Sequence, residues 1–176
     1  LSILGILFIQ ITWLQGLFLL SKNQLSDKIN QSALIVSNDI SKKITSGLSF
    51  RLPKRGLSLS EDYHLHRFDE SIVADIYSFN DLQSKINSAL GKNGLGNLEF
   101  EFAVADKKGK IEMLSRNFEK AYSDDINTLQ TRVSIIPQDI IEPVGPFETI
   151  IIIVPNVRFY LLQTLRWVIV GAVLFI

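Results

Sequence analysis

Residues able to do chemistry are few in this sequence. There is no cysteine, so a thiolate nucleophile is excluded. The two histidines, His64 and His66, stand two apart and would share a face if they lay in a strand. Zinc needs three or four ligands, and nothing completes such a set, so no metal site is expected. A serine triad needs a histidine beside an orienting carboxylate, and no G-x-S-x-G nucleophile elbow occurs. Glu99 and Glu101 alternate along one face of a predicted strand. Paired carboxylates can do acid–base work, but on a solvated strand face they read as solubilising charge. No catalytic residue is assigned. Tyr77, Arg132 and Asp139 remain as polar groups that could line a ligand pocket on the sheet side.

The elements that must position these groups are announced by the charge pattern. The chain has 176 residues, 47% of them hydrophobic, with 18 basic and 18 acidic side chains. Balanced charge removes the usual ground for a nucleic-acid partner, which needs a strongly basic surface. All the charges fall within residues 22–166, which are therefore about a quarter charged, as in an ordinary soluble domain. Residues 1–21 and 167–176 carry none. The distribution predicts a soluble domain between two membrane segments.

Residues 1–20 are long enough to cross about 30 Å of hydrocarbon as a helix. A secretory signal fits poorly, for want of a basic n-region and a small-residue cleavage site. The chain opens on leucine, so this span is expected to be cropped at its start. Residues 167–176 would begin a second span. Tryptophan favours the membrane–water interface, and Arg166 beside Trp167 can snorkel to headgroups. Trp13, Arg166 and Trp167 are thus candidate interface markers, with lipid before Trp13 and after Trp167. A second reading takes residues 1–20 as one whole span with Trp13 at its middle, and a third takes both ends as core helices of a soluble protein. The loop between the spans is too long for its Lys and Arg content to set orientation.

Within the domain, Leu25, Ile29, Ala33, Val36, Ile40, Ile44 and Leu48 recur at spacings of three and four. They predict a helix over 22–49 running on from the first membrane segment. The stripe could face the domain's own core or a second copy. Residues 51–56 form a basic loop. Asn80, with Gln83 three residues on, predicts a capping box for a helix over 80–91, and Gly91 or Gly94 can stop it. The period then changes to two. In LEFEFAVA, Leu98, Phe100, Phe102 and Val104 point one way, and Glu99 and Glu101 the other. This predicts a half-buried strand over 98–105, a tight turn at DKKG and a partner strand over 110–114. Further strands are predicted over 131–136, stopped by Pro137, and over 149–154, where TIIIIV reads as buried on both faces. Pro155 ends that strand, and Asn156 is placed to cap a closing helix over 157–176 that enters the second span. Residues 21–156 are thus expected to form one α+β domain, with helices gathered on one side of an antiparallel sheet.

This order resembles the amino-terminal sensor region of transmembrane sensor histidine kinases, in particular those of Bacteroidota-type bacteria. The likeness lies in QITWLQ at the end of the first span, the helix FNDLQSKINSALGKNG, the strand LEFEFAVAD, and the segments SIIPQDI and IIVPNVRFYLLQ. It covers nearly the whole chain, through short structural motifs and no catalytic signature. The resemblance implies an extracytoplasmic domain with a PAS- or Cache-like sheet, anchored in the inner membrane with its central part periplasmic, and held in a homodimer. It also implies an output by a cytoplasmic autokinase, using ATP and Mg, that phosphorylates its own histidine and then a response-regulator aspartate.

The kinase itself is not in these residues. Leu65 follows His64 and Arg67 follows His66, so no phosphoacceptor motif is present, and Gly91, Gly94 and Gly96 sit at a helix end, not in an ATP lid. No cofactor is expected within residues 1–176. The signal would bind near Tyr77, Arg132 and Asp139 and be passed to the second span through Pro155 and Asn156. Two other functions fit the same pattern. One is a receptor with a different output, such as a chemotaxis receptor or a nucleotide cyclase. The other is a membrane-anchored docking domain without signalling.

Overall fold

The computed structural model describes residues 3–49, 72–136 and 147–174. A single helix, α1 (Ile3–Ser49), of 47 residues begins the chain, about 70 Å of continuous rod at 1.5 Å per residue. The periodic stripe resolves to the inner face. Leu25, Ile29, Ala33, Val36, Ile40 and Ile44 are all buried in the domain's own core, so they are not available to a second copy. Three serines on the same side, Ser32, Ser37 and Ser41, are buried too. Ser41 Oγ donates within the helix, to the Ser37 carbonyl. The other two bond across elements, Ser32 in addition to donating within the helix to the Lys28 carbonyl. Ser37 Oγ donates to the Ser134 carbonyl at 2.8 Å, and Ser32 Oγ accepts from Asn93 Nδ2 at 2.7 Å. A buried hydroxyl without such a partner would cost about 1–3 kcal/mol.

A short helix, α2 (Ile72–Ile76), precedes α3 (Phe79–Lys92). The cap of α3 is Ser78, not Asn80. Ser78 Oγ accepts from the Asp81 N–H at 3.3 Å and donates to Asp81 Oδ2 at 2.7 Å. Asn80 lies inside the first turn, where its amide cannot serve the cap. Gly94, with φ of 76°, supplies the left-handed residue after the helix.

Four strands follow: β1 (Glu101–Ala105), β2 (Ile111–Leu114), β3 (Leu129–Ser134) and β4 (Thr149–Val154), with a helix α4 (Phe118–Ser123) between β2 and β3. They form one antiparallel sheet of order β2-β1-β4-β3. The β1–β2 turn is tied by Asp106, whose Oδ1 accepts from the N–H groups of Lys108 and Lys110. Gly109 takes the φ of 81° that this turn requires. The chain is thus α+β, with a long amino-terminal helix and an antiparallel sheet.

Two packed layers cover the sheet. On one face α1 and α3 meet Phe102, Val104, Val133, Ile150 and Ile152, with the Phe79 and Phe102 rings stacked at 5.1 Å. On the other face Phe118 and Ala121 of α4 cover Ala103, Ile151 and Ile153. Helices therefore lie on both sides, which corrects the one-sided arrangement expected from the sequence. Strand β1 is buried on both faces, not half-buried, because α4 covers its second side. Glu101 is likewise not a solvated strand charge. It accepts from Ser115 Oγ and from the backbone and side-chain amides of Asn117, and so locks the turn after β2 onto β1.

The last helix, α5 (Val157–Leu174), packs beside α1. Val157 and Leu161 enter the same core as Leu25, and Phe18 and Tyr160 pack against it. Among the residues whose side chains are described, no helix offers a stretch long and apolar enough to cross a membrane. His64, His66, the 51–56 loop, Pro137 and Asp139 lie outside the described residues.

Candidate functional site

The candidate pocket residues do not come together. Tyr77 follows α2 and is 3% exposed, packed in the α1–α3 layer. Arg132 sits in β3 opposite Ile151, whose side chain belongs to the α4 layer. There the Arg132 guanidinium donates to Tyr122 Oη at 2.8 Å and lies 5.7 Å from that ring's centroid. The sheet separates the two residues, so no single ligand can touch both. Asp139 is outside the described residues.

Around Tyr77 the structure assembles a different set. Lys43 Nζ lies 4.3 Å from the Tyr77 ring centroid and Lys85 Nζ 5.7 Å from it. Lys85 also forms an ion pair with Asp39 of α1. That hydrogen bond holds the Asp39 carboxyl below the usual carboxylate range, against the opposing effect of burial, with Lys42 and Lys92 adding to the lowering. The same bond raises the Lys85 ammonium above its ordinary value. Burial pushes the Tyr77 phenol up, and its Oη is buried with no hydrogen-bond partner. Beside this cluster, between α1 and α3, runs a groove of about 430 Å³ whose walls include Asn38, Asp39, Lys42, Lys85, Ser88 and Lys92. Its chemistry is that of a cationic surface with one internal counter-ion. Tyr77 was found from its type alone. The lysines were missed because Lys85 and Lys92 lie 46 and 53 residues from Asp39 in sequence, and Lys42 and Lys43 look like ordinary solvated charge.

A second unanticipated polar group is Glu148, 5% exposed at the start of β4. Its Oε2 accepts from the Val73 N–H at 2.9 Å, and its carbonyl accepts from the Ile135 N–H at 2.8 Å. One residue thus joins α2, the end of β3 and the beginning of β4. Among the described residues no group of three or more possible ligands could hold a metal ion.

Pro155 and Asn156 lie between β4 and α5. Strand β4 is central and buried along Ile150–Val154. Pro155 follows it, and Asn156 adopts φ of 53°, the left-handed region that an L-residue other than asparagine or glycine avoids. The Asn156 carbonyl accepts from the Tyr160 N–H, which begins the α5 ladder, and the Val157 N–H donates to the Asn127 carbonyl at 2.9 Å. Two residues thus turn the middle strand into a helix, and the turn is pinned to the segment before β3. Below it, large apolar side chains stand exposed on both helices: Phe8, Ile9, Ile11, Trp13, Leu19 and Leu20 on α1, and Phe159, Leu162, Trp167, Val168 and Val170 on α5. Arg166 lies 5.3 Å over the Trp167 ring.

Comparison with known proteins returns no matching family, no matching curated protein and no matching solved structure.

Proposed function

We propose that this chain is the signal-sensing extracytoplasmic part of a membrane-bound sensor histidine kinase. On this reading the domain has a PAS- or Cache-like sheet, is periplasmic, is carried by two inner-membrane helices and works as a homodimer. It passes a conformational change through α5 to a cytoplasmic autokinase that uses ATP and Mg and phosphorylates a response regulator. The observation that carries the reading is the junction. The central strand runs through Pro155 and Asn156 straight into a helix that packs beside α1, so displacement of β4 must displace α5 relative to α1. Signalling requires such a bistable connection between a sensing core and the output helices.

The exposed apolar side chains on α1 and α5 support the membrane part. A soluble surface rarely gathers so many large apolar groups at one end. Trp13 stands five residues before Phe18, and Trp167 six after Leu161, the outermost positions of each helix that pack against the core. At 1.5 Å per residue both tryptophans lie about 8–9 Å beyond the core, as residues marking one interface would. A homodimer formed through α1 would use its outer side, where Leu34 and Ile35 are exposed.

The test is to insert one glycine after Asn156 in the full-length protein and follow autophosphorylation in membrane vesicles with labelled ATP. The expected result is acid-labile phosphate on the unmodified protein and loss of its signal dependence in the insertion variant, with the domain still folded. Unchanged signal-dependent labelling would refute transmission through this junction. Absence of any histidine phosphorylation in the parent would favour the chemoreceptor, cyclase or docking alternatives.

A further inference from the structure

A cleft of about 630 Å³ opens between the turn after α3 and α5, where Tyr160 to Trp167 line it. Gly94, Gly96 and Asn97 form one wall, and Gln163, Thr164 and Arg166 the other, with Trp167 at the rim. The glycine wall leaves room, since a Cβ at Gly94 would meet nothing within 4 Å. The Asn97 and Gln163 amides and the Arg166 guanidinium supply N–H donors. The Thr164 hydroxyl donates to the Tyr160 carbonyl at 3.0 Å and so serves the wall.

The charge around this cleft is of one sign. Arg166 is the one charged side chain in its lining, and no acidic residue stands there. The helix that forms this wall also carries the exposed apolar side chains of Phe159, Leu162, Trp167 and Val170.

We infer that this cleft seats the phosphate of an anionic phospholipid headgroup, with Arg166, Asn97 and Gln163 as its donors. The inference rests on the membrane reading above and deepens it by naming the lipid class. Arginine matches phosphate oxygens with paired donors. The exposed Val170, on the same helical face as Arg166 and Trp167, continues from the cleft as a path for the acyl chains. A bound headgroup would bridge the turn after α3 to α5 and so couple lipid composition to the helix that leaves the domain.

The test uses the whole chain in nanodiscs of mixed phosphatidylcholine and phosphatidylglycerol, in a Trp13→Phe background that leaves Trp167 as the one tryptophan. Either lipid is brominated in turn and quenching of Trp167 is compared. One basic group near an anionic surface gives about a five-fold local enrichment, so brominated phosphatidylglycerol should quench with that advantage. Arg166→Gln should abolish the preference, while Arg158→Gln, off the cleft wall, should leave it. Both arginines are exposed, so neither change threatens the fold. Equal quenching by the two lipids would overturn the proposal, and so would equal loss in both arginine variants, which marks diffuse attraction. Displacement of the preference by millimolar glycerol phosphate would reassign the cleft to a free anion and overturn it as well. Failure of either lipid to quench Trp167 at all would instead remove the membrane reading beneath it.

Discussion

Removing the hydroxyl of Tyr77 should stabilise the domain, the reverse of the usual effect of such a change. The side chain is 3% exposed and packed in the layer between the sheet and α1. Its oxygen is buried without a hydrogen-bond partner. In the unfolded chain water satisfies that group, so folding costs about 1–3 kcal/mol on its account. Tyr77→Phe keeps the ring, its burial and a π face for Lys43 and Lys85. The expected gain is about 1 kcal/mol, taking the low end because a small void replaces the oxygen. Hydrogen exchange of amides in β1 and β4, such as Phe102 and Ile152, reports global opening of the domain without unfolding the outer helices. Protection there should rise about five-fold. A loss of protection equivalent to 1 kcal/mol would mean that the hydroxyl is bonded in solution, and would refute the reasoning. A gain would also fit a residue kept for binding, since groups held for function often cost stability.

The same phenol gives a pH prediction. Its folded pKa is raised by burial, so its contribution is fully present below the unfolded value near 10 and is lost as pH rises through the higher folded value. The ultraviolet difference titration between the parent and Tyr77→Phe should show a midpoint above that of free tyrosine. At the start of α3, Ser78→Ala should cost about 1 kcal/mol in chemical denaturation, and Asn80→Ala should change stability by less than about 0.5 kcal/mol. At the junction, Asn156→Ala should cost about 1 kcal/mol, because alanine is strained at φ of 53°, while Asn156→Gly should be close to neutral by the same hydrogen-exchange readout.

Much of the fold follows from periodicity alone. The change from a spacing of three and four to a spacing of two near Leu98 marks the passage from helix to sheet, and TIIIIV reads as a strand covered on both faces. What the sequence does not show is the element that covers the second face. Helix α4 has six residues, too few for a helical stripe, although Phe118 and Ala121 stand at the right spacing. The cap of α3 was misplaced because Asn80–Gln83 and Ser78–Asp81 are equally good local patterns. Packing decides between them, since Phe79 must stack on Phe102 from the first turn. Strand parity could have separated the pocket candidates. With Val133 facing α1, Arg132 has to face the other way. The Lys85–Asp39 pair had no such signal, because it joins residues 46 apart on two helices.

Among the described residues strand β4 is the last strand, and it is second from the edge in the sheet, between β1 and β3. This has a consequence for biogenesis. The β1–β2 hairpin can close as soon as it is made, but one edge of β1 stays open until β4 is synthesised. Strand β3 is in the same position. During synthesis the exposed edge invites pairing with other chains, and the late, long-range closure makes folding slow. Val154, which ends this vulnerable interval, stands only three residues before Val157, where α5 begins, so the sheet is completed just as the exit helix starts to form. A truncated chain ending before Thr149 would therefore lack more than its exit. It would keep two unpaired edges, and aggregation is its expected fate.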